Sequence, residues 1–246
     1  NNLPIHVKID TGMHRLGFAP ADMPRLIERL HTQRAVIVRS VFSHFVGSDS
    51  PQFDAFSREQ IALFEQASSA LQAACPHKIL RHICNTAGIE RFPEAHYDMV
   101  RLGLGLYGIS PIDNAILHNV STLKTTILQI RDVASADTVG YSRKGVLKRP
   151  SRIAALPIGY ADGLNRHLGN GGAYCLVNGQ KAYYVGNICM DVCMIDVTDI
   201  DCREGDMVEI FGDNLPITVL SDALNTIPYE VLTTISNRVK RVYFQG

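Results

Sequence analysis

The run Ile5-His-Val-Lys-Ile-Asp-Thr-Gly-Met-His-Arg-Leu-Gly-Phe-Ala-Pro20 decides the fold. Its first five residues alternate apolar and polar side chains, the period-2 pattern of a strand. Two glycines and a proline then turn the chain into 20–32, where Met23, Leu26, Ile27 and Leu30 recur at helical spacing. Strand, glycine-rich turn and amphipathic helix together form one βα unit.

The same unit repeats to either side of the long helix that follows. Residues 36–42 read as a strand, and 53–74 as a helix with Phe56, Ile61, Leu63, Phe64 and Leu71 as core candidates. Residues 79–84 and 99–106 read as two more strands. Repeated βα units imply a parallel sheet with crossover helices. Four such units are about half of a (β/α)8 barrel, which needs ~250 residues. An open arc of four would expose strand edges and an apolar interior, so something else is expected to complete it.

Beyond residue 116 helical periodicity nearly vanishes. Short β runs at 121–133, 153–156, 173–177, 194–197 and 207–211 alternate with turn signals such as Asn170-Gly-Gly172 and Asn178-Gly179. Short helices are expected at 219–224 and 228–236. The expected fold is therefore α/β + β: a partial barrel over 1–115, followed by a mostly antiparallel β domain over 116–246.

Composition narrows the function. The 246 residues carry 24 basic and 24 acidic side chains, with no run of one sign, which argues against nucleic acid or an anionic membrane surface as partner. Every apolar stretch falls short of the ~20 residues of a membrane span, and no signal peptide is read at the start. The six dispersed cysteines lack zinc-ligand spacing and are expected to be reduced thiols of a cytoplasmic protein, with no metal.

Several residues sit where chemistry is usually found. Arg101 ends an apolar run and precedes Gly103 and Gly105; alone, it is either an interior ion-pair arginine or a site residue. His44, in Phe42-Ser-His-Phe45, reads by itself as a satisfied core histidine. Asn85-Thr86 and Gly103-Leu104 follow strands, at the end where barrels keep their sites, and suit either helix caps or a phosphate cup. Tyr141, in Val139-Gly-Tyr-Ser142, is packing or an acid/base group.

Six segments, in order and at about the family spacing, resemble the alanine racemase family across essentially the whole chain. They are Lys8-Ile-Asp-Thr-Gly-Met-His-Arg-Leu-Gly-Phe18, Asn85-Thr-Ala-Gly88, Arg101-Leu-Gly-Leu-Gly-Leu-Tyr-Gly108, Val139-Gly-Tyr141, Leu156-Pro-Ile-Gly-Tyr-Ala-Asp-Gly163 and Val185-Gly-Asn-Ile-Cys-Met-Asp191. The resemblance implies a pyridoxal-phosphate isomerase interconverting L- and D-alanine by two acid/base groups, and supplying D-alanine for peptidoglycan. It assigns Arg101 to the pyridine nitrogen, His44 to its support, and Asn85, Thr86, Gly103 and Leu104 to the phosphate. Tyr141 becomes the base on one face of the α-carbon, with Arg15 beside it. Met190 and Asp191 match the segment whose main chain holds the substrate carboxylate, Tyr160 lines the entrance, and Arg166 lies deeper. Lys8 matches a lysine that is carbamylated in some members. A head-to-tail homodimer with composite sites is implied.

The chain departs from the family in one large respect. None of its seven lysines matches the Schiff-base lysine of the family's first barrel strand. The chain is therefore expected to be the C-terminal portion of a racemase and inactive alone; the alternative is a racemase-like dimerisation module of a larger protein. A related pyridoxal-phosphate decarboxylase is disfavoured by Arg101, since that group favours an acidic partner for the ring nitrogen. Two smaller departures are Asn187, where many members have arginine, and Asn237, where a tyrosine often contacts the phosphate.

Overall fold

The computed structural model describes residues 2–113 and 116–244. They form two compact units, Asn1–His118 and Asn119–Gly246. The expected boundary at 115/116 falls at residues 114–115, which lie outside the described residues.

In the first unit the chain runs β1 (Leu3–Lys8), α1 (Met23–His31), β2 (Val36–Phe42), α2 (Asp54–Ala74), β3 (Leu80–His82) and α3 (Thr86–Arg91). The strands form one parallel sheet in the order β1-β2-β3. Alternation along each strand divides its side chains between two faces. Val7, Val41 and Ile83 turn towards the helices and join Ile9, Phe64, Leu71 and Ile79 in the core. α2 contributes through a stripe at Ser57, Gln60, Phe64, Ala67 and Leu71, the 3.6-residue period of a helix packed on one side.

The opposite face differs from expectation. Register pairs His6 with Ser40 and Lys8 with Phe42, then Ser40 with Leu80 and Phe42 with His82. This face mixes His6, Lys8, Ser40 and His82 with Phe42 and Leu80, where an open arc suggested an apolar interior.

The expected strand over 99–106 does not form. Its start runs beside β3, with Asp98 N–H donating to Arg81 C=O (3.1 Å) and Arg101 N–H to Cys84 C=O (3.0 Å). Gly103 then takes φ −109°, ψ −103°, and Leu104–Tyr107 close into a 3-10 turn. Glycines there let the backbone leave the sheet within two residues of Arg101.

The second unit contains β4 (Leu123–Thr126), β5 (Gln129–Val133), β6 (Thr138–Val139), β7 (Gly145–Val146), β8 (Ser151–Leu156), β9 (Tyr174–Val177), β10 (Gln180–Tyr183), β11 (Cys193–Asp196), β12 (Met207–Phe211), α4 (Thr218–Ala223) and α5 (Pro228–Thr234). The strands form two antiparallel sheets, β10-β9-β12-β4 and β11-β8-β5, and a separate two-stranded hairpin, β6-β7, that lies between β5 and β8 in the chain. The single run expected at 121–133 breaks at Ile127-Leu128, so β4 and β5 lie in different sheets. Buried Ile127 donates its N–H to Asp206 C=O and Leu128 its N–H to Ala155 C=O, which hands the chain from one sheet to the other. All six cysteines are free thiols, and four of them are buried.

Candidate active site

Arg101 is the most constrained side chain of the first unit. Its Nη1 donates to His82 Nδ1 (2.7 Å) and the His82 carbonyl (3.4 Å). Its Nη2 donates to His44 Nδ1 (2.9 Å) and the carbonyls of Ser43 (2.8 Å) and Ile83 (3.2 Å). The Phe42 ring lies 5.5 Å from the guanidinium carbon and stacks on His82 at 5.1 Å. An arginine only donates, so both imidazoles must present an unprotonated Nδ1 to it. Burial, together with the Arg101 charge, pushes His44 and His82 each down to about 4. Burial also lowers the Arg101 guanidinium, which stays charged in proteins.

Two further cations belong to this cluster. Arg15 and Lys8 both act on His44 electrostatically. The loop carrying Arg15 is tied down by Asp10, whose Oδ1 accepts the N–H groups of Gly12, Met13 and His14 at 2.9–3.0 Å. Burial works to raise that carboxyl, but the three donors hold it below its ordinary value. Behind His44, fully buried Gln60 donates to Thr11 Oγ1 (3.1 Å) and the His44 carbonyl (3.0 Å), and accepts from Val46 N–H (3.0 Å).

The turn after Arg101 is organised by Thr86, whose Oγ1 accepts from Gly103 N–H (2.9 Å) and Gly105 N–H (3.3 Å). Asn85 caps α3, its Oδ1 accepting from Gly88 N–H (2.9 Å) and Ser48 Oγ (2.8 Å). These bonds use the Gly103 N–H and the Asn85 oxygen internally. The Thr86 hydroxyl proton and the Leu104 N–H make no bond among the described residues.

In the second unit the sequence-singled residues converge on 187–191. Tyr141 stands 70% exposed on the β6-β7 turn, where Gly140, Ser142 and Arg143 all take positive φ (77°, 57° and 54°). Asn187 Nδ2 donates to the Tyr141 carbonyl (3.2 Å), and Asn187 Oδ1 accepts from Asn170 (3.0 Å). Tyr160 N–H and Ala161 N–H donate to the carbonyls of Cys189 and Met190, both at 3.0 Å. A Cβ on Gly159 would lie 2.3 Å from the Met190 oxygen and 2.4 Å from the Cys189 oxygen, so only glycine permits this approach. Arg238 bridges Asp162 (2.7 Å) and Asp191 (2.6 Å), fastening the Tyr160 turn to the Met190 bend. Burial would raise the Asp162 carboxyl, but Arg238 and the Gly159 N–H keep it low. The Met190 and Asp191 N–H groups have no partner among the described residues. The Asp191 carboxylate is engaged with Arg238, and Asn237 is exposed beside that arginine.

Sequence reasoning passed over His82, Ser43, Gln60 and Arg238. His82 had a readable signal in its alternation with Ile83 and Cys84 on a strand beside the Arg101 run; the others did not.

Beside the parallel sheet, Arg101 is thus held between two neutral imidazoles, with a hydroxyl-organised turn next to it. The family model described as alanine racemase, N-terminal domain, matches residues 1–111, and that described as alanine racemase, C-terminal domain, matches 120–243. The chain belongs to the alanine racemase family, with its barrel domain followed by a mostly antiparallel β domain.

Alanine racemase 2 of Caldanaerobacter subterraneus subsp. tengcongensis is 42% identical over 97% of this chain. The chain spans 64% of that relative's length. The alanine racemase from D-cycloserine-producing Streptomyces lavendulae superposes with a TM-score of 0.92 at 31% identity, covering 100% of this chain and 67% of its own. The enzyme from Bartonella henselae, with covalently bound pyridoxal phosphate, has a TM-score of 0.86 at 32% identity over 98% of this chain and 66% of its own.

Proposed function

We propose that this chain is the C-terminal portion of a pyridoxal-phosphate-dependent alanine racemase, carrying the second half of the barrel and one of two acid/base groups. The carrying observation is the Arg101 cluster. Five donated bonds occupy both terminal nitrogens, while Nε makes none among the described residues. That atom suits a pyridine nitrogen as acceptor. The residues present fit the cofactor at two further points. Lys8, Arg15 and Arg101 have no carboxylate partner among the described residues, which suits an anion, and the Thr86 hydroxyl with the Leu104 N–H can donate to its phosphate. The lysine that would bind it covalently has no counterpart here.

Bound there, the cofactor supplies an electron sink for the pair left when a proton leaves the amino acid's α-carbon. Arg101 keeps its own proton and leaves the ring nitrogen unprotonated, which moderates that sink and disfavours side reactions. The Met190 and Asp191 N–H groups hold the substrate carboxylate. Tyr141 Oη takes or returns the α-proton on one face, and the absent lysine serves the other face. Tyr160 lines the way in. The reading extends to a cytoplasmic homodimer with composite sites making D-alanine for peptidoglycan. Among the described residues no helix is long and apolar enough to cross a membrane, and no group of His, Cys, Asp and Glu could hold a metal.

In the full-length protein, Tyr141→Phe is expected to lower kcat for racemisation by 100-fold or more, roughly the contribution of one positioned acid/base group, in at least one direction. Rates unchanged from wild type in both directions would remove Tyr141 from this role. The 246-residue chain mixed with pyridoxal phosphate is expected to yield no borohydride-trapped adduct.

A further inference from the structure

We infer that Ser40 and His6 are positioning residues for Arg101, the far links of a one-way hydrogen-bond line crossing all three strands of the parallel sheet. This rests on the reading of Arg101 as the ring-nitrogen ligand, which gives the line its purpose.

The line is drawn by the register. His6, Ser40 and His82 lie on one face of β1, β2 and β3, and Arg101 follows on the next segment. Ser40 Oγ lies 2.6 Å from His6 Nδ1 and 3.2 Å from His82 Nε2. Its direction follows from Arg101, which has no lone pair to offer. His82 Nδ1 must accept from Nη1, so the one proton of a neutral His82 sits on Nε2. That N–H points at Ser40 Oγ, which therefore accepts from His82 and turns its own proton to His6 Nδ1. His6 is left with its proton on Nε2. Ser40 is fully buried and His82 is 5% exposed, so water does not compete for the two inner bonds.

Without the hydroxyl, the Nε2–H form of His82 loses its acceptor. The alternative tautomer would point an Nδ1–H at Arg101 Nη1 and expel the guanidinium from its seat. Ser40 thus acts on the site through a tautomer, two residues removed from any cofactor, and His6 completes the chain on the exposed side of the sheet.

The test uses the chain with ¹⁵N-labelled histidine and long-range ¹H–¹⁵N correlation at pH 8, with His82 assigned by the signals lost in His82→Asn. The wild-type His82 ring is expected in the Nε2–H form alone. Ser40→Ala should turn it into a tautomer mixture, and Ser40→Thr, which keeps the hydroxyl, should restore the single form. An Nδ1–H ring in the wild type, or a Ser40→Ala ring identical to wild type, overturns the proposal. Should Ser40→Ala not fold, His6→Phe at the exposed end serves instead. It is expected to move the His82 Nε2–H resonance, and an unmoved resonance overturns the proposal equally. No cofactor or substrate enters this measurement, so failure of the racemase reading and failure of the relay are separately visible.

Discussion

The Arg101 cluster and the Tyr141 turn place their key side chains by opposite means. Arg101 is fixed through its side chain, by acceptors from four residues on two segments of the first unit. Tyr141 has a largely exposed ring, and what is fixed is the backbone beneath it: the left-handed residues at 140, 142 and 143 and the Asn187 bond to its carbonyl. A group that must hold one charge state gains from burial among matched acceptors. A group that must exchange a proton with a ligand gains from a rigid base and an accessible tip.

The largest test of that contrast removes each key side chain. Arg101→Ala strands two imidazole nitrogens and three carbonyls without their donor, which at 1–3 kcal/mol per buried unsatisfied group is expected to cost about 4 kcal/mol after partial rehydration. Tyr141→Phe is expected to stay within about 0.5 kcal/mol, as exposed changes do. Urea unfolding at pH 7.5 measures both. Equal losses would break the contrast.

Acid should probe the first unit selectively. His82 falls from 6.5 to about 4 on folding, so the unfolded chain binds more protons between those values. The stabilisation from its neutral ring is fully present above pH 6.5 and is lost as pH falls towards 4. At 1.36 kcal/mol per unit that is about 3 kcal/mol. His44 adds to it in the same window, less strongly because it is only half-buried. Asp10, Asp98 and Asp162, all held below 3.8, act at lower pH. Unfolding free energies compared at pH 7.5 and 4.5 should show the drop, and His82→Gln should flatten it.

How much of this was readable beforehand depended on the distance over which the signal travelled. Motif order located Arg101, Thr86, Tyr141 and Met190, because local turns and their glycines are written in adjacent residues. Of the partners of Arg101, His44 was named with it by the same motifs, whereas His82 and the line behind it were passed over. His6, Ser40 and His82 are 34 and 42 residues apart, and only the β1-β2-β3 register, with its irregularity between Ile5 and His6, puts them on one line. Period-2 alternation likewise identified 121–133 as β structure but could not show that Ile127-Leu128 hands the chain to another sheet. The 99–106 run was apolar enough for a strand, and its two glycines, read as site features, are also what ends it.

Gly159→Ala tests the second unit at its backbone. The added methyl meets two carbonyl oxygens that cannot swing aside as a side chain would. Overpacking of this kind costs about 2 kcal/mol, and the Tyr160 turn should separate from the Met190 bend. Hydrogen exchange is the local readout: the Tyr160 and Ala161 amides, bonded to Cys189 and Met190, should lose protection while those of β1 to β3 keep theirs. Loss of protection in both units would mean that the Met190 bend is not an independent module.

The smallest expected effect separates holding a backbone from holding a side chain. Asn187 makes two bonds of ordinary length, to the Tyr141 carbonyl (3.2 Å) and from Asn170 (3.0 Å), in a half-exposed setting. Water replaces much of what Asn187→Ala removes, leaving a stability loss of about 0.5–1 kcal/mol. The left-handed residues around Tyr141 carry their own conformational cost, however, and persist only while their surroundings specify them. Loosening the carbonyl should therefore let the turn sample other conformations and blur the position of the phenol. In the full-length protein the expected pattern is a several-fold loss in kcat with little change in melting temperature. Restoring one donor to the Tyr141 carbonyl should recover part of it, so Asn187→Gln is the discriminating variant. If Asn187→Ala instead lowers the melting temperature as much as Gly159→Ala while kcat holds, the asparagine stabilises the unit and the Tyr141 turn is set by its own backbone alone.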